Sequence, residues 1–340
     1  MTEPKRRVSI AIDAMGGDYA PQEIVSGAVD AAKGGKVEPV LVGPQSILDE
    51  ELAKYDISGL PIRCINADGF IKEEENPALA VRRKPNSSVA IATKSVKSGE
   101  ATAMVGATAT GSLVASALQH LGMIEGIDRP VIGGVLSTLA PKTAIFDLGV
   151  NMDCKPHHLL TFAIIGTVYA RVFLGIPNPT VALLNVGSEE GKGNRLAREA
   201  YPLLKESGLN FIGNVEGSAI LTGEANVIVC DAFVGNCLFK LSESGGPIVA
   251  GYFMDKIKKY PIISQLLRSK SKSAVASLVS SNSVSGGLIW GIDGVVVKTH
   301  GHSKSSQVTK AFEHARMAVE GDVVNCLKAE LAKIKEHINL

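Results

Sequence analysis

Short β-branched runs alternating with helical patterns predict an α/β fold built on a mostly parallel, buried sheet. Three observations carry that prediction. Apolar runs such as Val8–Ile12, Val37–Val42 and Val181–Leu184 are too short for helices and lack the in–out alternation of a half-exposed strand. Each gives way to a glycine- or proline-bearing turn and then to a helical pattern. Polar residues collect at the ends of the runs, where open α/β sheets place ligand-facing groups along a carboxyl edge.

The chain has 340 residues, enough for two domains or one large α/β unit, and 45% of them are hydrophobic. A formal net charge of +1 offers no global argument for nucleic acid. No 7–15-residue apolar region with a cleavage site follows the N-terminus, so no secretory leader is expected. Ala101–Ile124 is interrupted by Gly, Thr and Ser, and Leu159–Ala170 ends at Arg171 after 12 residues, so neither reads as a membrane span. The five cysteines lack CxxC spacing, which suits reduced thiols in the cytosol.

The first strand ends in Asp13-Ala14-Met15-Gly16-Gly17-Asp18, and Pro21 and Glu23 open a helix. Asp13 is either a ligand-facing group or a cap on its turn. GxGxxG is absent. A second strand, Val37–Val42, stops at Gly43-Pro44, and a helix runs from about Ser46 to Tyr55. Pro61–Ile65 is a third strand. Arg82, Arg83 and Lys84 then precede a serine-rich helix start, either an anion site or a solvated charge run. After strand Thr102–Val105, the spacing Gly106 to Gly111 imitates a P-loop. It fails, because Ser112 and Leu113 occupy the Lys and Ser/Thr positions.

Pro130–Leu139 and Ala144–Leu148 read as strands, the second ending in Asp147-Leu148-Gly149-Val150-Asn151. Pro156 starts a helix in which His157 and His158, being adjacent, are expected on different faces. Strand Val181–Leu184 leads into Asn185-Val186-Gly187-Ser188-Glu189-Glu190-Gly191-Lys192-Gly193-Asn194, with a helix from Arg195. Two readings stand for this loop. One is a phosphate cradle of backbone N–H groups, a helix N-terminus and the charge of Lys192. The other is an ordinary βα turn. Strands Phe211–Gly213 and Val227–Val229 end in Asn214-Val215-Glu216-Gly217 and in Asp231 through Asn236. Val308 through Ile334 form one apolar stripe, read as a packing helix.

Taken together, IAIDAMGGD, AVRRKPNSS, LGVNMDCKP, LLNVGSEEGKGN, FIGNVEG and DAFVGN resemble the bacterial phosphate acyltransferase family of phospholipid synthesis, the acyl-carrier-protein:phosphate transacylases. The resemblance runs from Val8 to about Val324. It implies a Rossmann-like α/β/α sandwich related to isocitrate dehydrogenases and phosphotransacetylases. On that reading the chain is one domain over 1–340, with 245–275 as a protruding amphipathic helical segment. It implies a cytoplasmic homodimer that turns long-chain acyl carrier protein and inorganic phosphate into acyl phosphate. A membrane glycerol-3-phosphate acyltransferase then uses the product.

The chain departs from the family's usual Ser-Ala-Gly-Asn-Thr-Gly at Gly106–Gly111, where Ala109 replaces the amide. It also departs at Ser285–Leu288, at Ala232 and Val234, and at Thr299–Lys304. These differences bear on substrate preference and on activity.

The chemistry asks for little beyond placement. Phosphate attacks a thioester without a strong base, and a thiol of pKa about 8.5 leaves readily. The protein must hold the anion, aim it and stabilise the oxyanion. Lys192, Asn194, Asp231, Asn236 and His300 are the expected catalytic residues. Lys192 suits the phosphate, Asn194, Asn236 or His300 the oxyanion, and Asp231 orients its neighbours. Asp13, Gly16, Gly17, Arg82, Thr110, Gly111, Asn185, Gly187, Gly191 and Gly193 are expected to bind phosphate or substrate. No nucleophile elbow is present, which favours direct transfer, and neither metal nor cofactor is expected.

Gly245–Tyr260 carries a helical apolar stripe. Ile262, Ile263, Leu266 and Leu267 follow, flanked by Lys256, Lys258, Lys259, Arg268, Lys270 and Lys272. This pattern suits either an anionic membrane surface, giving peripheral attachment at the inner face of the cell membrane, or a second subunit. The alternatives in function are a coenzyme A-dependent short-chain phosphate acyltransferase, a non-catalytic scaffold for acyl carrier protein, and, on fold grounds, a dehydrogenase.

Overall fold

The structure is a computed structural model that describes residues 7–72, 74–258 and 287–338. Where the sequence is read as one domain, the chain divides into two compact units. Unbroken β–α alternation carries no mark of where one core ends and the next begins, so the division is invisible to periodicity.

The first unit comprises the described residues through Pro130 and those from Gly287 to Lys328. Its strands are β1 (Val8–Asp13), β2 (Val37–Gly43), β3 (Arg63–Asn66), β4 (Ala103–Gly106), β10 (Gly287–Trp290) and β11 (Val295–Lys298), in the order β3-β2-β1-β4-β11-β10. Pairing is parallel except for the β10–β11 hairpin. Ile10, Ala11 and Ile12 are wholly buried, as the apolar run requires of a central parallel strand. Helices α1 (Gln22–Lys33), α2 (Gln45–Leu52), α3 (Pro77–Arg83), α4 (Ser88–Ser98), α5 (Thr110–His120) and α10 (Ser305–Glu320) belong to this unit. α1 packs on α10 at Gly27, where a Cβ would overlap Val308.

The second unit carries β5 (Val131–Val135), β6 (Ala144–Phe146), β7 (Val181–Leu184), β8 (Phe211–Val215) and β9 (Val227–Val229), in the order β5-β6-β9-β7-β8. Only β5–β6 is antiparallel. Its helices are α6 (Pro156–Leu174), α7 (Arg195–Lys205), α8 (Ala219–Thr222) and α9 (Ala232–Lys258). α6 is apolar and long enough to cross a membrane by length and composition. Yet 72% of its apolar window is buried inside the protein, against β5, β6, β9 and α7, so it is a core helix.

Several boundaries differ from the sequence reading, and two have a clear physical reason. The strand expected over Pro130–Leu139 stops at Val135, because Ser137 closes a turn, accepting from Leu139 N at 3.1 Å. The C-terminal stripe is two helices, α10 and α11 (Val323–Ile338), broken at Gly321-Asp322 where Asp322 takes φ 47°. The expected membrane residues Ile262, Ile263, Leu266 and Leu267 lie outside the described residues.

In each unit, parallel neighbours bring their polar ends to one edge. β1, β4 and β11 do so in the first unit, and β6, β9, β7 and β8 in the second.

Candidate active site

In the first unit the edge is laced shut. Asp13 is 1% exposed and accepts from Met15 N at 3.1 Å. Burial pushes its carboxyl up to about 6, while the nearby Ser88 hydroxyl and the Met15 and Gly16 N–H groups pull it down. A Cβ on Gly16 would stand 2.7 Å from the Thr108 backbone nitrogen. Gly17 has φ 102°, and a Cβ there would meet the Gly301 carbonyl oxygen at 2.9 Å. Asp18 N donates to that same carbonyl at 2.8 Å, and Thr299 N to Gly106 O at 2.9 Å. The glycines expected to bind substrate therefore also permit the β1, β4 and β11 loops to touch.

Around this edge, Ala109 precedes α5 without a side-chain cap. Thr110 and Gly111 are exposed, as is Arg82 in the last turn of α3. His300 is half-buried, its ring 5.3 Å from that of His302. Ser87 precedes α4, and its buried hydroxyl has no hydrogen-bond partner among the described residues.

In the second unit the β7–α7 loop is tied at its root and open at its rim. Asn185 Oδ1 accepts from Val186 N at 2.8 Å, and its Nδ2 donates to Lys192 O at 3.1 Å. Asn214, at the end of β8, donates from Nδ2 to Glu189 O at 2.8 Å. Gly193 takes φ 95°, and a Cβ there would overlap the Asn185 amide. Asn194 caps α7 by accepting from Ala197 N at 2.9 Å. That bond engages its carbonyl oxygen and leaves its NH2 as the donor. Gly187 and Gly191 complete the turn. The N–H groups of Gly187, Gly191 and Gly193 have no hydrogen-bond partner among the described residues. The Lys192 side chain is 54% exposed, with Nζ only loosely paired to Glu189 at 4.0 Å. Lys205 holds Glu190 at 3.1 Å, so the loop's second acid is also countered.

Two neighbouring loops frame this one. Asp231 accepts from Val234 N at 3.0 Å and so caps α9. Asp147, wholly buried at the end of β6, accepts from Gly149 N at 2.9 Å, Val150 N at 3.1 Å, and Asn151 N and Nδ2 at 2.9 and 2.6 Å. Burial raises its carboxyl and these bonds oppose the rise. Gly149 passes beside Asn236, and Gly235 lies against the Asp147 carbonyl. Asp147 and Asn214 carry no sequence signal beyond their strand-end positions.

A cavity of about 320 Å³ opens beside Asn185, Gly193, Asn194 and Asp231. Cys230 lines it, and burial pushes that thiol up, away from thiolate chemistry. His157 and His158 do not diverge as expected. Their rings meet edge-to-face at 4.4 Å, with His158 Nδ1 accepting from Lys155 N at 3.0 Å.

The sequence matches the family described as "Fatty acid synthesis protein" over residues 8–326. It is 40% identical over 330 residues to a phosphate acyltransferase of Pelotomaculum thermopropionicum, covering 96% of each chain. Among solved structures, a phosphotransacetylase from Streptococcus pyogenes aligns with TM-score 0.65 at 17% identity, covering 93% of this chain and 94% of that one. A putative 4-hydroxythreonine-4-phosphate dehydrogenase from Salmonella typhimurium aligns with TM-score 0.56 at 13% identity, over 92% and 99%. These two likenesses establish the fold.

Proposed function

The chain belongs to the "Fatty acid synthesis protein" family and is a phosphate acyltransferase, and on that premise we propose that it moves a long-chain acyl group from acyl carrier protein to inorganic phosphate for phospholipid synthesis. The observation that carries the reading is the β7–α7 loop. It combines an exposed cation, glycine N–H groups and a helix N-terminus, which together suit an anion. In this reading Lys192 and the N–H groups of Gly187, Gly191 and Gly193 hold the phosphate. A phosphate oxygen attacks the thioester carbonyl carbon, the carbon–oxygen bond forms and the carbon–sulfur bond breaks. The departing sulfur takes its proton from solvent. The Asn194 NH2, with Asn236, donates to the oxyanion, and Asp231 orients the start of α9. Asp13 anchors the first unit's edge.

Acyl phosphate should form when the protein is mixed with phosphate and long-chain acyl carrier protein, and far more slowly with short-chain acyl-coenzyme A. The reverse preference would assign the coenzyme A reaction instead. Ala109 favours one second reading, since α5 starts without a side-chain cap at that position. Binding of acyl carrier protein with no turnover, and turnover restored by Ala109→Asn, would make the chain a scaffold. We further propose a cytoplasmic homodimer that attaches reversibly to anionic membranes through Ile262, Ile263, Leu266 and Leu267. That position would deliver product to a membrane glycerol-3-phosphate acyltransferase.

A further inference from the structure

We propose that the cavity beside the β7–α7 loop receives the hydrocarbon chain of the acyl substrate, so that the second unit holds both the phosphate and the acyl tail. The inference rests on the acyl-transfer reading and deepens it. The cavity walls are Leu159 at the start of α6, Leu183 of β7, Leu196 of α7, and Val234 and Leu238 of α9. Its polar side chains are Asn185 and Asp231, from strand ends, and Asn194, the N-cap of α7. The result is an apolar chamber with polar groups at the loop, the polarity of an acyl chain ending in a carbonyl.

The polar end offers a hydrogen-bond donor suited to a carbonyl. Asn185 Oδ1, Asn194 Oδ1 and Asp231 Oδ1 are each occupied by a backbone N–H, from Val186, Ala197 and Val234. The Asn194 NH2 remains as a donor to a substrate oxygen. Val186 supplies an independent observation. It is a β-branched apolar residue within a polar glycine loop, 82% exposed, and it lines the cavity. An apolar occupant would cover it, and nothing else in the loop's hydrogen bonding calls for a valine.

The cavity is also firmly backed. Leu184 and Leu238 pack against the core cluster that contains Ile145, Ala182, Ile228 and Cys230. At about 320 Å³ it lies at the lower end of the range for ligand pockets, about 300–1,000 Å³. Its walls should therefore discriminate chain length.

Val234→Trp tests this. The side chain is 37% exposed in the first turn of α9, so the larger ring fills the chamber from its open side. The ratio of kcat/KM for palmitoyl to butyryl thioester should fall about tenfold or more. Binding of palmitoyl phosphonate, read by calorimetry, should weaken by about as much relative to butyryl phosphonate. Leu196→Phe, from the α7 wall, should act in the same direction and replaces the first variant if that one does not fold. A chain-length ratio and relative phosphonate affinity equal to wild type in a folded variant would overturn the proposal. Absence of acyl phosphate from every thioester would instead sink the transfer reading, and the phosphonate titration would still decide the cavity's occupant.

Discussion

The β1–α1 and β7–α7 loops share one sequence grammar: an apolar strand, a glycine-rich turn with an acid or amide at its root, and a helix. Their structures differ. Between Asp13 and Asp18 the root carboxyl is buried, and the glycines lie against Thr108 and Gly301. Between Asn185 and Asn194 the root amide is neutral, Gly191 has nothing within 4 Å of a would-be Cβ, and Lys192 faces solvent. Glycine in the first loop serves close approach of backbones, and Gly191 in the second leaves room for a ligand. Grammar alone announces a loop at a functional edge. The neighbours decide whether that loop is an anchor or a cradle.

If that contrast holds, glycine substitutions should divide by loop. Gly16→Ala pushes a methyl into the Thr108 backbone and should cost about 3 kcal/mol, read as a lowered urea midpoint. Gly191→Ala should stay within about 0.5 kcal/mol of wild type in the same measurement. Equal effects would break the comparison.

Asp13 sharpens the contrast through pH. Its carboxyl titrates at about 6 in the fold against an ordinary 3.8, so the folded state binds the proton more tightly than the unfolded chain. Stability linked to Asp13 is therefore greatest below pH 3.8, falls as pH rises to about 6, and stays low above. Asp13→Asn should remove that slope and, above pH 6, gain up to about 3 kcal/mol. Thermal melts of both proteins across the interval check it, and parallel pH curves would refute the buried charge.

Gly193→Ala should fall between the two glycine extremes. Its φ of 95° and the adjacent Asn185 amide predict a loss of about 1–3 kcal/mol. Activity should drop further than stability if the loop's shape holds the substrate. A proportional fall in both would make Gly193 a turn residue only.

Much of this was legible in the sequence. Short continuous apolar runs marked β1, β2, β7 and β9, because a buried parallel strand needs no alternation. The glycine loops announced themselves by composition. Asp147 and Asn214 did not, because their importance comes from what they bind across the fold, and no local pattern encodes that. The cavity was silent for a related reason, since Leu183, Leu196 and Leu238 stand where a strand or helix would place ordinary core residues. The break at Gly321-Asp322 was present in the residues but masked by an apolar stripe that keeps its spacing on both sides.

The central claim is that the β7–α7 loop holds the phosphate through Lys192. Phosphate saturation of acyl-phosphate synthesis by Lys192→Ala tests it most directly. Loss of a charge-assisted contact of about 1.5–3 kcal/mol should raise the KM for phosphate by about 10- to 100-fold, with the thermal melt unchanged. A folded Lys192→Ala protein with wild-type phosphate kinetics would contradict the account and remove the loop from the site.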